Sequence, residues 1–201
     1  LTTAKQLLGF AAIDKIKFTL KDTAVKLTGT DADNSILKAD KIKISDNAIS
    51  IADAKDKLLE SAGRVGNRIQ DFTFSITDDY TKVTQIGNDA GHSERDIYDN
   101  AAVVTITPGP VSQLKNLNLA KVKYVVHDTL NNLVQADAEN VVKGAIGIEV
   151  RTATNGSLET INVNSGGPRG QVRTLVTKAV DANGNAIPVT AKLTGTSDTV
   201  Y

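Results

Sequence analysis

The stretch Val172-Arg173-Thr174-Leu175-Val176-Thr177-Lys178-Ala179-Val180-Asp181, followed by Ala182-Asn183-Gly184-Asn185 and then Ala186-Ile187-Pro188-Val189-Thr190-Ala191-Lys192-Leu193-Thr194, decides how the rest of the chain is read. In its second half Ile187, Val189, Ala191 and Leu193 alternate with Pro188, Thr190, Lys192 and Thr194. A repeat of two means a strand with one face in a core and one in water. Asn183-Gly184 stands between the two runs, where the chain needs positive φ and glycine supplies it at no steric cost. The stretch predicts a two-stranded β unit, and most of the chain repeats its style.

Working backwards, Ser165-Gly166-Gly167-Pro168-Arg169-Gly170 reads as a hairpin loop, because it holds no Gly-Lys-Ser/Thr and leads into the strand just described. Residues 158–163 form the strand before it, and Asn155-Gly156 turns the chain back from residues 146–150, where Ile146, Ile148 and Val150 alternate with Gly147 and Glu149. Val122, Tyr124 and Val126 alternate in the same way, and 101–107 is a further strand. Short strands spaced by turn signals, with no helix between them, predict an antiparallel sandwich rather than βαβ units.

The first half is more mixed. Residues 1–12 carry a capping-box pattern and a short helical stripe; from Ile13 the period becomes two. Strands are predicted around 16–20, 25–27, 42–44, 49–51, 72–76 and 81–86. One helix is expected at 53–62, with Asp53 as its cap and Gly63 as its stop. Pro108-Gly109-Pro110 removes backbone donors, so it is the expected domain boundary. The expectation is a mainly β chain of two Ig-like antiparallel β-sandwich domains. They span 1–107, with the helix at 53–62 as an insertion, and 108–201. Lys26-Leu27-Thr28-Gly29-Thr30 recurs as residues 192–196, an echo suggesting similar strand ends.

Composition limits function. Lys+Arg and Asp+Glu are both 23, so the net charge is zero and lacks the basic excess that nucleic-acid binders use against phosphates. The same neutrality weakens the repulsion between copies, a hint of self-association. There is no Cys, which excludes disulfides, thiolate metal sites and a Cys nucleophile. No apolar run is long enough to span a bilayer, and no signal peptide is visible. The chain opens on Leu1 rather than Met, as expected of a processed product or an excised piece.

Chemistry is sparse. His92 and His127 are the only histidines; both are expected to be solvated, in a loop and at a strand end, and no Gly-x-Ser-x-Gly elbow or His-Glu-x-x-His motif accompanies them. Carboxylates gather in polar stretches that suit Ca²⁺. The candidate ligands are Asp31 and Asp33 with Asp78 and Asp79, set against their reading as solvated turn formers. The loop opening at Asp31 is not an EF-hand, since Ile36 and Ile42 stand where Gly and Glu belong. No other cofactor is expected, and no enzymatic activity.

Thr105-Ile106-Thr107-Pro108-Gly109-Pro110-Val111 and residues 178–189, with Asp181-Ala182-Asn183-Gly184-Asn185 at their centre, resemble bacterial Ig-like domains. The absence of Cys, Met and Trp beside abundant Lys, Thr, Ala, Val and Asp is similar to surface-layer (S-layer) proteins of Gram-positive bacteria. That resemblance implies an extracellular, cell-surface structural component. Its partners would be other copies of itself and neighbouring domains of a longer chain, without nucleic acid or membrane insertion. The alternatives are an adhesin or carbohydrate-binding module, and an accessory region of a secreted enzyme.

Overall fold

The computed structural model describes residues 17–27, 39, 41–46, 48–56, 72–152 and 156–195. Strands form largely where apolar and polar residues alternate. They are β1 (Thr19–Asp22), β2 (Lys41–Ile44), β3 (Phe72–Thr73), β4 (Ser75–Asp78), β5 (Val103–Gly109), β6 (Val122–Asp128), β7 (Gly147–Val150), β8 (Thr160–Asn162), β9 (Val189–Thr190) and β10 (Lys192–Thr194). Helices lie between them: α1 (Ala24–Leu27), α2 (Ile51–Ala54), α3 (Tyr80–Asn88), α4 (Arg95–Asn100), α5 (Val111–Leu114), α6 (Leu130–Leu133), α7 (Glu139–Gly144) and α8 (Gly166–Lys178).

The ladders are parallel. Strand β1 pairs with β2 and β2 with β3 in the same sense. In the later part Val125, Val126, His127 and Asp128 face Gly147, Ile148, Glu149 and Val150, and Ile148 and Glu149 face Val189 and Thr190. Strand β8 is parallel to β10. Among the described residues the antiparallel contacts are two isolated bridges, Arg151 with Leu158 and Val180 with Ala186. The expected pair of antiparallel Ig-like sandwiches is therefore overturned: this is an α/β chain with parallel sheets. Parallel neighbours cannot be joined by a tight turn, and the helices are the crossovers that such pairing demands.

The burial pattern explains how the alternation misled. Parallel sheets are usually covered on both faces, so their strands read as unbroken apolar runs. Here most strands alternate over much of their length instead. Leu20 is buried between exposed Thr19 and Lys21; Ile42 and Ile44 are buried beside exposed Lys41 and Lys43; Val122, Tyr124 and Val126 are buried around exposed Lys123 and half-buried Val125. A one-sided parallel sheet produces the same sequence signal as a one-sided antiparallel one.

The chain divides into two compact units, Leu1–Thr105 and Ile106–Tyr201. In the first, β1-β2-β3 follow one another in chain order. Strand β4 lies beside β5 there, and the Ala102 N–H donates to the Phe74 carbonyl at 2.8 Å. In the second unit the order is β5-β6-β7-β9. Strand β5 runs through Pro108 to Gly109, so the prolines do not stop it; Pro110 caps α5 with φ −75°. A proline costs a strand one donor and is tolerated near its end.

Helices start where turn-forming residues follow a strand or bridge. The Ser50 side chain accepts from Asp53 N–H at 3.0 Å, Asp79 from Lys82 N–H at 2.9 Å and Thr129 from Asn132 N–H at 3.3 Å. Ser50, not Asp53, therefore caps α2; the expected helix beyond Asp56 lies outside the described residues. Residues 81–86, expected as a strand, form α3, and 25–27 fall in α1. Where both copies of the five-residue echo are described they differ, since Lys26 and Leu27 are helical and Lys192 and Leu193 are extended.

The largest local correction concerns α8. Gly166 to Gly170 open this helix instead of forming a hairpin loop, and Val172 to Lys178 continue it. The decisive spacing is Val172, Leu175, Val176 and Ala179, at i, i+3, i+4 and i+7; Val172, Leu175 and Ala179 are buried. The turn after it is as expected: Gly184 has φ +83°, and the Asp181 carboxylate accepts from the N–H groups of Asn183 and Asn185, each at 2.8 Å. Glycine inside a helix costs backbone entropy, and a Cβ at Gly170 would meet open space. Gly170→Ala is expected to raise unfolding stability by about 0.5–1 kcal/mol in urea titration; a loss would mean that the helix does not extend to this residue.

Candidate functional site

Carboxylates at strand ends organise both units. Asp22, Asp78 and Asp128 each close a strand, and one oxygen of each accepts the next residue's N–H, at 2.9, 3.0 and 2.8 Å. In Asp78 and Asp128 a second oxygen reaches an earlier helix in the chain. Asp78 accepts from Ile51 N–H at 3.0 Å and Asp128 from Val111 N–H at 3.1 Å, the first residues of α2 and α5. Glu159 repeats the device on Leu130 N–H, the start of α6, at 3.0 Å. The first N–H groups of a helix have no partner within it and carry the positive end of its dipole, so an acid placed there ties strand to helix.

Above Asp128, at the carboxyl end of β6, lies a polar cleft of about 230 Å³ bordered by Ser112, Lys115, Asn132, Gln135 and Asp137. Asp128 is only 3% exposed and also accepts from the Asn132 amide at 2.7 Å. With three donors aimed at it, Asp128 acts as a cap rather than as a base. Doubly wound folds bind nucleotides where strand order reverses. Strands β5, β6, β7 and β9 lie side by side in chain order, so among the described residues this unit has no reversal of strand order.

On the other side of the ladder, His127 stands opposite Glu149 in register. The Glu149 carboxylate receives both Nε and Nη2 of Arg151, at 2.9 and 2.6 Å, while Nη1 donates to the Gly156 carbonyl at 2.6 Å. His127 is not the solvated strand-end residue that was expected: it is 6% exposed, and its Nε2 is buried without a hydrogen-bond partner. Burial lowers its pKa, and the Arg151 charge adds to this, against opposing pulls from Glu149 and Asp128. His92 is half-buried, with Nδ1 accepting from Glu94 N–H at 3.2 Å.

Of the four candidate calcium ligands, Asp31 and Asp33 lie outside the described residues. Asp78 and Asp79 are adjacent, but their oxygens serve the starts of α2 and α3. Among the described residues no group of three or more His, Asp or Glu is placed to hold a metal ion. No helix among them is long and apolar enough to cross a membrane.

The remaining feature is apolar. Val172 and Val176 of α8 face Ile187, Val189, Ala191 and Leu193 across a trough of about 300 Å³. All four residues that the alternation assigned to one face of this strand line it; Ile187 is buried, whereas Leu193, and Val176 on the helix side, stay 44% and 38% exposed. Strand β9 ends the strand order, with β7 on one side and no strand on the other among the described residues. The helical half of this trough escaped the sequence reading, although the spacing of Val172, Leu175, Val176 and Ala179 carried the signal. Comparison with protein-family models, curated proteins and solved structures finds no match to this chain.

Proposed function

We propose that this chain is a structural, self-associating component of a bacterial cell-surface layer, and that copies meet along the β9 flank of the second unit. The observation that carries this reading is the apolar trough beside β9, where Val176 and Leu193 stay exposed next to a strand that has no outer neighbour among the described residues. An unpaired strand edge is a template for pairing with another chain, and apolar surface beside it supplies the driving force. The formal net charge of zero opposes association little. Stable interfaces bury about 1,200–2,000 Å² in total, so the trough serves as the anchor of a larger contact.

Sedimentation velocity across a range of protein concentrations, with electron microscopy of the concentrated sample, tests the reading. The native chain is expected to form concentration-dependent oligomers or sheets. The double substitution Val176→Asp and Leu193→Asp puts two like charges into the trough and is expected to leave monomers with an unchanged circular dichroism spectrum. A native chain that stays monomeric at millimolar concentration would refute the proposal.

A further inference from the structure

We infer that His127 is an acid-sensitive latch in the seam between β6 and β7: neutral, it fits the buried position, and protonated, it loosens the seam. Three observations place it there. The imidazole is buried, its Nε2 has no acceptor to take a second proton's hydrogen bond, and the charged group opposite, Glu149, is already held by Arg151. The charged groups facing it are Glu149 on β7, Arg151 just after that strand, and Asp128 on its own strand; β5, on the other side of β6, contains no titratable residue. A proton on Nε2 would therefore create a buried cation near a guanidinium, with the nearest carboxylates committed to Arg151 and to the starts of α5 and α6. Burying a charge without a dedicated partner is strongly unfavourable.

The direction of the pH effect follows. An unfolded histidine titrates near 6.5, and burial and Arg151 hold the folded one lower. Above about pH 6.5 both states are neutral and the full stability is present. As pH falls below that, the unfolded chain takes up the proton first. The folding equilibrium constant then drops by up to about tenfold per pH unit until the folded imidazole also titrates. This window lies above the ordinary range of Asp and Glu.

Urea unfolding of the full chain at steps between pH 7.5 and 5.5 reads the latch. The native protein is expected to lose stability over this range. His127→Phe and His127→Gln, which cannot titrate, should flatten the profile, whereas His92→Gln should leave the loss in place. Hydrogen exchange should show β7 and β9 losing protection first on acidification. NMR titration of the native imidazole gives an independent reading even where a variant fails to fold. A His127 that titrates at or above 6.5, or His127 variants that keep the native profile, would overturn the inference.

Discussion

Asp128→Ala is expected to lower the stability of the second unit by about 3 kcal/mol, more than the matching change at Asp78. The carboxylate is 3% exposed and accepts from Val111 N–H, Thr129 N–H and the Asn132 amide. Alanine removes every one of these acceptors and supplies nothing in return. A buried donor left unpaired costs about 1–3 kcal/mol, and a lost helix cap about 0.5–2. Asparagine keeps one acceptor oxygen but turns an NH₂ toward one of the backbone donors, so Asp128→Asn should recover only part of the loss. Asp78→Ala removes the matching bonds to Ile51 and Asp79 in the first unit. Its side chain is 16% exposed, so water replaces some of what is lost, and a drop of about 1–2 kcal/mol is expected. Equilibrium urea unfolding of the three variants gives the ranking. An Asp128→Ala protein within about 0.5 kcal/mol of the native chain would mean that the carboxylate does not hold α5 to β6.

Much of the strand content was legible, and its arrangement was not. Alternation located β2, β4, β6, β7 and the β9-β10 segment, because a half-buried strand shows a period of two whatever its neighbours do. Pairing sense leaves no mark on a single strand. It had to be inferred from the connections, and these contain helices too short to show a period: α1, α2, α5 and α6 are four residues each. Such a helix announces itself only by its cap. Caps use Ser, Thr and Asp, the same residues that build turns. Ser45-Asp46-Asn47 and Asp128-Thr129-Leu130 thus looked alike, although the second starts α6. The recurring order of strand, acid, cap and helix in Asp22-Thr23-Ala24, Asp78-Asp79-Tyr80 and Asp128-Thr129-Leu130 was the signal that separates them. Asp78 and Asp79 drew notice as neighbouring carboxylates, but their use as caps depends on helices that the strand reading had hidden. The trough was half legible: the strand side came from alternation, and the α8 side was lost to a wrong choice of period.

Ile148→Ala is expected to cost about 3–4 kcal/mol, and Leu193→Ala less than about 0.5, although alternation makes both residues inward-facing. Ile148 is 1% exposed and lies in register between Val126 on β6 and Val189 on β9. Truncation there leaves a cavity flanked by β-branched side chains on two strands. These pack stiffly and relax little, so the cavity penalty adds to the lost burial. Leu193 is 44% exposed and gives up little buried area when shortened. Its loss should appear instead in association: Leu193→Ala is expected to weaken oligomer formation in sedimentation velocity while leaving the urea midpoint nearly fixed, and Ile148→Ala to do the reverse at concentrations where the variant remains folded. Two substitutions of similar size thus separate the side chains that build the unit from those that meet its neighbours. A Leu193→Ala protein destabilised as strongly as Ile148→Ala would make the trough part of the core and remove the basis for placing an interface there.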